Sequence, residues 1–362
     1  MESDQPGGTH LYDSRDERDA CGFGLIAQLD DKPSPSLVKQ ALDALARMAH
    51  RGGIAADGLS GDGCGLLLKT PDAFLRALAA ESGIALGQRY ASGIVFMPDD
   101  DDTHARERSA FSRALREVGL AVSGWRKVPT DTSVCGELAK ATMPAIEQLF
   151  VVPVLDVEGA RMSREAFAHA LYLARRRAEQ RLRDVPGLHV VSLSANSIGY
   201  KGMVLPQFLP QLYPDLQRPE LASSAVVFHQ RFSTNTSPRW PLAQPFRLLA
   251  HNGEINTIAG NRTWARARAH VWRTDTLNPA EFDPVIDMDG SDSQSLDSML
   301  ELLQAGGMDL LKALRILIPP ATQSLEYKDA DLLAFYEYYA INSEPWDGPA
   351  SMTFTDGTVI GA

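Results

Sequence analysis

The sequence predicts one large domain of the α+β class. Candidate strands fall into two separated sets, and the helical patterns are gathered in blocks between them. No long low-complexity linker divides the chain, and no period of 20–50 residues repeats. At 362 residues the chain is long enough to bury a sizeable core. We therefore expect two sheets covered by helical layers.

Composition and charge exclude several classes of function. A formal charge of -11 argues against nonspecific nucleic-acid binding, which requires a basic surface. No apolar run approaches the roughly 20 residues that span a bilayer, and residues 1–20 lack the apolar core of a signal peptide. The three cysteines, Cys21, Cys64 and Cys135, show neither CxxC nor Cys/His metal spacing. We expect a cytoplasmic protein without a disulfide framework or metal site, and residues 1–20 are expected to be a propeptide or a loose tail.

The first elements follow from caps and spacing. A strand is expected over 24–29, and a helix with Ser34 as N-cap is expected to continue until the glycines at 52–53. The glycine-rich stretch 58–65 predicts a tight turn that leads into a buried strand at 66–68. It lacks the Gly-Lys-Ser/Thr ending of a phosphate loop, so we do not expect a nucleotide there.

Apolar runs predict four further strands, and the clearest helix runs from Ser163 to about Asp184. The strands are expected at 93–97, 149–155, 189–194 and 225–229. Arg175-Arg176-Arg177 lies inside the helix and is interpreted as a solvated face in preference to an anion site. The acidic run 99–102 is interpreted as a solvated turn, because consecutive carboxylates do not converge on one metal ion without a folded loop.

Cys21 lies between a charged leader and the first strand. If the leader were removed, this residue would carry both a thiol and an α-amine with a pKa of roughly 7.7–8.0, hence a nucleophile and a base. The alternative is a small buried apolar residue, which its position alone favours. Only residues farther along the chain can decide between the two.

Polar groups follow two of the apolar strands and precede one helix. Arg231 can hold a carboxylate with a bidentate fork, or it can form a structural ion pair. Asn252 and Gly253 can offer an amide and an unobstructed backbone N–H to one oxygen, or they can form a type I′ turn. Asp292 can cap the helix that follows it, or it can face an ammonium group.

Taken in order, these motifs closely resemble the class II glutamine amidotransferases, which are N-terminal-nucleophile hydrolases. The resemblance extends from about Cys21 to the last residue. The matching segments are 21–24 (CGFG), 50–52 (HRG), 61–63 (GDG), 231–234 (RFST), 251–254 (HNGE) and 291–293 (SDS). The segment 235–246 (NTSPRWPLAQPF), together with residues 256–257 and 260–261, is similar to the corresponding sequence of the large subunit of glutamate synthases.

The resemblance implies a fold, a processing event and a set of site residues. The fold would be a four-layer αββα sandwich over residues 21–362, and cleavage before Cys21 would expose the nucleophile. Asn252 and the N–H of Gly253 would form the oxyanion hole. The substrate-binding residues would be Arg231 for the α-carboxylate of glutamine, Asp292 for its α-ammonium group and Arg51 at the rim.

The implied reaction is a glutaminase half-reaction. The thiol would attack the side-chain amide of L-glutamine, ammonia would leave, and a γ-glutamyl thioester would be hydrolysed. No cofactor is expected in this chain, whereas FMN and an iron–sulfur cluster are expected in the rest of a full-length glutamate synthase, where ammonia meets 2-oxoglutarate. That remainder and a small reductase subunit are the partners implied.

The sequence also leads to predictions for the two ends of the chain. Residues 355–362 predict a strand pair with an Asp-Gly turn, and the chain looks truncated there. Because residues 1–20 are retained, we expect a zymogen. Two alternatives stay open: another amide hydrolase on the same fold, and a noncatalytic or regulatory module.

Overall fold

A computed structural model of the chain describes residues 22–98, 104–154, 162–233, 236–320 and 329–362. Cys21, the leader 1–20 and the acidic run 99–102 lie outside the described residues. The helices are α1 (Pro35–Arg47), α2 (Asp72–Glu81), α3 (Ala105–Arg116), α4 (Glu137–Lys140), α5 (Arg164–Arg181), α6 (Leu209–Leu212), α7 (Ile258–Arg268), α8 (Asp292–Ala305), α9 (Leu310–Leu317) and α10 (Ala330–Asn342). The strands are β1 (Phe23–Ala27), β2 (Ser60–Lys69), β3 (Ala91–Met97), β4 (Leu120–Lys127), β5 (Ala145–Pro153), β6 (His189–Val190), β7 (Ser197–Val204), β8 (Ala225–Gln230), β9 (Leu249–Gly253), β10 (Ala350–Thr355) and β11 (Ile360–Gly361).

The strands form three antiparallel sheets within the described ranges. Their orders are β1-β8-β2-β7, β11-β10-β9 and β4-β5-β3-β6. The α+β class is confirmed, but the expected number of two sheets is wrong. Alternation along the chain marks strands without naming their partners, so β3 to β6 could not be assigned to a sheet of their own. The strand expected at 189–194 shortens to His189–Val190.

The layers of the molecule follow from which face each strand residue presents. Leu66 and Phe228 point into a large core shared with α1 and α2, whereas Leu67 and Val227 point to the opposite face. There they meet Ala250 of β9. The sheet β1-β8-β2-β7 therefore packs against the sheet that carries β9, and α7, α8 and α9 cover the far side of that second sheet.

The predicted first helix is confirmed, and the turn predicted in the glycine-rich stretch is confirmed only at its start. Ser34 accepts a hydrogen bond from the N–H of Leu37 at 3.2 Å and caps α1. Gly58 has a φ of 74° and donates its N–H to the carbonyl of Ala55 at 3.0 Å, whereas the chain from Ser60 onward is already β2, which includes Gly61, Gly63 and Gly65. A Cβ at Gly65 would lie 2.7 Å from the Cβ of Lys201 on β7. Close strand approach, not a turn, requires this glycine.

The helix predicted from Ser163 is confirmed as α5, but its solvated arginine face is wrong for Arg175. The side chain of Arg175 is only 2% exposed. It pairs with Glu179 on its own helix and with Glu301 on α8, both at 2.9 Å. Periodicity shows which residues share a face but not that α8 covers it.

The predicted strand pair at the end of the chain is confirmed as β10 and β11. Asp356 accepts hydrogen bonds from the N–H groups of Thr358 and Val359, and Gly357 has a φ of 84°. β10 also pairs with β9 along its whole length and thereby holds the strand that ends in Asn252 and Gly253. No helix among the described residues has the length and apolar character needed to cross a membrane.

Candidate active site

The start of β1 and the end of β8 bring the chain neighbour of Cys21 to one edge of the first sheet. Phe23 pairs with His229, and the N–H of Gln230 donates to the carbonyl of Gly22 at 2.6 Å. A Cβ at Gly22 would lie 2.4 Å from the oxygen of Gln230 and 3.3 Å from the side-chain nitrogen of Asn252. Gly22 is therefore held between β8 and the Asn252 side chain.

Asn252 and Gly253 lie at the end of β9 and do not form a hairpin turn. They pair with Ser351 and Ala350 on β10. Gly253 has a φ of +126°, and a Cβ there would lie 1.8 Å from the carbonyl oxygen of Pro349. Only glycine satisfies both conditions, because a side chain would strain the backbone and overlap the next segment.

The N–H of Gly253 points away from β10. In an antiparallel ladder the backbone groups of alternate residues face the partner strand and the opposite side. The N–H of Glu254 donates to Pro349 O at 3.0 Å, which places the even-numbered residues on the β10 side. The N–H of His251 instead donates outward, to Oε1 of Gln244 at 2.8 Å. Gly253 lies two residues after His251 on the same strand, so its N–H is also directed away from β10.

The amide of Asn252 can take two orientations, and its hydrogen-bond partners are better matched in the second. In one, Oδ1 lies 2.7 Å from Nε2 of His229, and the nitrogen faces Gly22. After a half-turn, the nitrogen donates to Nε2 of His229 at 2.7 Å and to the carbonyl of His251 at 3.3 Å. Oδ1 then accepts from the N–H of Gly22 at 2.5 Å. In either orientation, His229 and Gly22 are the groups on the two sides of this amide.

Arg231 follows β8 directly and is 5% exposed. Its Nη2 donates to Oγ1 of Thr236 at 2.6 Å, and its Nη1 donates to the carbonyl of Asp62 at 3.3 Å. Burial lowers the pKa of Arg231, and the negative charges of Asp62 and Asp292 act in the opposite direction. A guanidinium has five N–H donors, so these two contacts leave donors for a ligand.

Asp292 begins α8, but the predicted capping role belongs to its neighbour. Ser291 is the N-cap, and its hydroxyl accepts from the N–H of Gln294 at 3.1 Å. Oδ2 of Asp292 accepts from the N–H of Ile255 at 2.8 Å, and Oδ1 accepts from the N–H of Ser293 at 2.7 Å. The carboxylate therefore ties the start of α8 to the segment after Gly253.

The loop that carries Arg51 lies against the same edge. The helix α1 ends at Arg47, before the predicted stop at the glycines 52–53, and a short 3₁₀ turn over Ala49–Arg51 connects the helix to them. A Cβ at Gly52 would lie 1.6 Å from Nε2 of Gln230, and one at Gly53 would lie 2.5 Å from Oδ2 of Asp62. Both glycines therefore let this loop approach the residues that flank Arg231.

Two buried histidines add hydrogen-bonding groups to this region but no charge. Burial lowers the pKa of His229 to about 4, and the positive charge of Arg231 acts in the same direction. Burial also lowers the pKa of His251, whose Nδ1 lies 2.8 Å from the hydroxyl of Ser293. Both rings are therefore neutral at physiological pH and act through directed hydrogen bonds.

The structure adds residues that the sequence did not single out for the site. His229 contacts Asn252, and Gln244 bridges both backbone groups of His251 through its side chain. Alternation along β8 assigns His229 to the same face as Val227, which points toward the second sheet. A histidine on that inward face was the available signal. Among the described residues no group of three or more His, Cys, Asp or Glu side chains is arranged to hold a metal ion.

The family model of the class-II glutamine amidotransferases matches residues 21–362, and the chain belongs to this family. Its similarity is to proteins named as glutamate synthases. It is 42% identical over 359 residues to the chloroplastic ferredoxin-dependent glutamate synthase of Oryza sativa subsp. japonica, covering 96% of this chain and 22% of the relative. It is 41% identical to ferredoxin-dependent glutamate synthase 2 of Synechocystis sp., covering 96% of this chain and 22% of the relative.

A third relative is the large chain of the glutamate synthase [NADPH] of Bacillus subtilis. The identity is 36%, and the match covers 99% of this chain and 23% of the relative. The chain thus spans about a fifth of the length of the curated relatives that it matches. As a class-II glutamine amidotransferase similar to this part of the glutamate synthases, the chain is an enzyme domain that releases ammonia from glutamine.

Proposed function

We propose that residues 21–362 form the ammonia-supplying glutaminase domain of a glutamate synthase, with Cys21 as the nucleophile. The observation that carries this proposal is the position of Gly22. Consecutive Cα atoms are about 3.8 Å apart, so covalent geometry keeps Cys21 close to Gly22. The carbonyl of Gly22 is bound by Gln230, and its N–H faces the amide of Asn252.

In the proposed reaction the thiol of Cys21 attacks the side-chain carbonyl of glutamine. Its proton passes to the free α-amine of the same residue, which cleavage before Cys21 supplies. The carbon becomes tetrahedral, and its oxygen gains a negative charge. Nδ2 of Asn252 and the N–H of Gly253 donate to that oxyanion, an arrangement supported by the outward direction of the Gly253 N–H.

Collapse of the tetrahedral intermediate breaks the carbon–nitrogen bond. The α-amine returns a proton to the leaving nitrogen, ammonia departs, and a γ-glutamyl thioester remains on Cys21. Water then attacks the thioester, with the same amine as base, and glutamate leaves. The carbon–sulfur bond breaks in this step and the amine returns the water's proton to the thiolate of Cys21, so the amine gains and loses one proton in each half of the cycle.

Arg231 and Asp292 are the proposed recognition pair for the amino-acid head group. Arg231 would bind the α-carboxylate, and Asp292 would bind the α-ammonium group. The proposal is supported by the negative charge of Asp292, which acts on the pKa of the Arg231 guanidinium and raises it. Arg51 is proposed at the rim, since its loop packs against Gln230 and Asp62.

The wider context is part of the same proposal. The layers α1 and α2, two facing sheets, and α7 to α9 support a four-layer αββα sandwich. We place FMN and an iron–sulfur cluster in the rest of the glutamate synthase and no cofactor in this chain. That remainder, which would join ammonia to 2-oxoglutarate, and a small reductase subunit are the proposed partners. The proposed compartment is the cytoplasm.

The decisive experiment combines intact mass, a glutaminase assay and covalent labelling. Protein whose N-terminus is Cys21 should hydrolyse glutamine and should bind one equivalent of a diazoketone analogue of glutamine at Cys21. Cys21→Ala should lose both properties, whereas Cys135→Ala should keep both. Burial raises the pKa of the Cys64 and Cys135 thiols, so these two should stay unlabelled.

Two results would contradict the proposal. Full activity in protein that retains residues 1–20 would refute the need for processing. Equal turnover of glutamine and simple acyl amides would point to another amide hydrolase, because Arg231 and Asp292 would then have no substrate group to recognise.

A further inference from the structure

The two orientations of the Asn252 amide require different protonation of His229. When Oδ1 faces the ring, Nε2 of His229 must carry the proton and donate it. When the nitrogen faces the ring, Nε2 must be unprotonated and accept. The separation is 2.7 Å in both cases, so this hydrogen bond forms with either arrangement. The tautomer of His229 and the direction of the amide are therefore coupled.

The other ring nitrogen decides which tautomer the protein favours. Nδ1 of His229 is buried and has no hydrogen-bond partner among the described residues. A proton on Nδ1 would create a buried N–H without an acceptor. An unprotonated Nδ1 leaves only a lone pair unsatisfied, which proteins tolerate more often than an orphaned donor. The environment of Nδ1 thus favours the tautomer with the proton on Nε2.

That tautomer directs Asn252 toward catalysis. A donor at Nε2 holds Oδ1 on the His229 side, which turns Nδ2 toward Gly22 and the neighbouring Cys21. The amide can then donate to an oxyanion formed beside the thiol. In the opposite orientation it would present an oxygen there and would repel the developing negative charge.

The N–H of Gly22 and the carbonyl of His251 oppose this arrangement. The N–H lies 2.5 Å from the amide atom that faces it, so it favours Oδ1 at that position, and the carbonyl lies 3.3 Å from the amide atom on the His229 side and favours Nδ2 there. With Nδ2 facing the Gly22 N–H, two donors would meet. This N–H belongs to the peptide bond between Cys21 and Gly22, and its direction changes with rotation about that part of the backbone. The Nε2–H of His229 thus competes with two groups, of which the Gly22 N–H is the one next to the processing point.

We propose that His229 is a positioning residue, whose Nε2–H holds Oδ1 of Asn252 so that Nδ2 is presented to the oxyanion. This role rests on the proposed function of Asn252 as an oxyanion donor. His229 does not touch the substrate. It acts only through the amide, so its loss should affect the transition state and not the binding of glutamine.

The acid–base properties of the ring agree with a directional role. Burial lowers the pKa of His229 to about 4, so the ring is neutral across the pH range of a glutaminase assay. A neutral imidazole ring carries one N–H proton, and whether that proton is on Nδ1 or on Nε2 determines which way the Asn252 amide is held. The kcat of the wild-type enzyme should therefore show no ionisation step from His229 above about pH 5.

Two substitutions at His229 and one matched control test the proposal in the mature enzyme. His229→Phe keeps a planar ring but removes the donor, and we expect kcat to fall tenfold or more, up to the 10²–10³ typical of a lost oxyanion donor. The KM for glutamine should stay within about twofold of the wild-type value, because Arg231 and Asp292 are untouched. His229→Gln can place an N–H where Nε2 lies and should recover most of kcat.

The control is His189→Phe. His189 lies on β6, and its Nε2 is also buried without a partner among the described residues. This variant makes the same chemical change outside the site and should keep wild-type kcat. A fall in kcat that tracks thermal stability in both phenylalanine variants would reduce His229 to a structural role and overturn the proposal.

A spectroscopic measurement on wild-type protein gives an answer even if a variant fails to fold. Nitrogen-15 shifts and two-bond couplings of the imidazole ring report which nitrogen carries the proton. We expect the Nε2–H tautomer for His229 in mature enzyme, and the Nδ1–H tautomer would overturn the proposal. An active wild type with an unimpaired His229→Phe variant refutes this role alone. A mature wild type without glutaminase activity refutes the proposed function and, with it, this role.

Discussion

Two buried polar regions of this protein lie at opposite ends of β9 and differ in how completely their groups are paired. The first is an ionic cluster in which Arg175 and Arg247 both pair with Glu301, at 2.9 and 2.7 Å. Asp297 in this cluster accepts from the N–H groups of Arg247, Leu248 and Leu249. The second region is the candidate site at the other end of β9.

The candidate site leaves hydrogen-bonding capacity unused. Nδ1 of His229, Nε2 of His251 and Oε1 of Gln230 are buried without partners among the described residues, whereas no atom of the ionic cluster is. Unpaired buried polar atoms cost stability, so folding alone does not favour them. The ionic cluster therefore fixes β9 against α5 and α8, whereas the site keeps polar atoms available for chemistry.

The largest expected effect comes from breaking the ionic cluster. Glu301→Leu leaves Arg175 and Arg247 buried without their shared carboxylate, and we expect a loss of about 3–5 kcal/mol in the free energy of unfolding. Urea unfolding measures it. Glu281→Leu, which removes the partner of the partly exposed Arg177, is the matched control and should cost far less. Similar losses in the two variants would show that the cluster is not a special feature.

Removing the proposed oxyanion donor should have a large effect on rate and a small one on stability. Asn252→Ala is expected to lower kcat by about 10²–10³, with little change in KM, because the interaction forms mainly in the transition state. Steady-state glutaminase kinetics and thermal unfolding of the same preparation separate the two effects. Equal losses in turnover and affinity would argue against the assigned role.

The ionic cluster should also give the protein a contribution to stability that decreases as the pH rises. Burial, reinforced by Glu301, raises the pKa of Asp297 to about 6, against about 3.9 in the unfolded chain. The protonated carboxyl therefore contributes stability that is fully present below about pH 4 and lost as the pH rises through about 6. Two pKa units correspond to roughly 3 kcal/mol.

Asp297→Asn tests this dependence, because an amide keeps an acceptor for the backbone N–H groups and does not titrate. Relative to the variant, the wild type should lose about 3 kcal/mol of unfolding free energy between pH 4 and pH 7. Chemical denaturation at a series of pH values gives the difference. Parallel stability curves for the two proteins would contradict the assigned pKa shift.

Arg231 should show the opposite kinetic pattern to Asn252. Arg231→Ala removes a charge-assisted contact to the α-carboxylate, and the KM for glutamine should rise about 10- to 100-fold. The effect on kcat should be smaller. Arg231→Lys should recover only part of the affinity, because an ammonium group cannot form the bidentate fork. An unchanged KM in the alanine variant would remove Arg231 from the recognition pair.

The smallest effect is expected on the surface. Arg106 and Asp184 pair at 2.8 Å with side chains that are 59% and 65% exposed. Solvent and salt screen such a pair, so Arg106→Ala should leave the Tm unchanged within experimental error. A clear loss would mean that the contrast between buried and exposed ion pairs does not hold in this protein.

Much of the local structure could be predicted from the sequence. Ser34 caps the helix that it was expected to cap, the helix expected from Ser163 begins there, and Asp356-Gly357 turns between the last two strands. The ordered motifs from Arg231 to Asp292 also indicated the family. These features depend on short-range rules of capping, turn geometry and spacing, which a single chain segment obeys by itself.

The tertiary structure decided which of these segments meet. Gly65 is a glycine because β7 lies against it, Arg175 is buried because α8 covers it, and Ser291 takes the cap that Asp292 leaves for the N–H of Ile255. The role of His229 is visible only from its contact with Asn252, which lies 23 residues away in sequence, because Nε2 of His229 is 2.7 Å from Oδ1 of Asn252. Strand pairing and sheet packing determine such contacts. The hydrophobic period of a segment indicates which face is buried but not which segment covers that face.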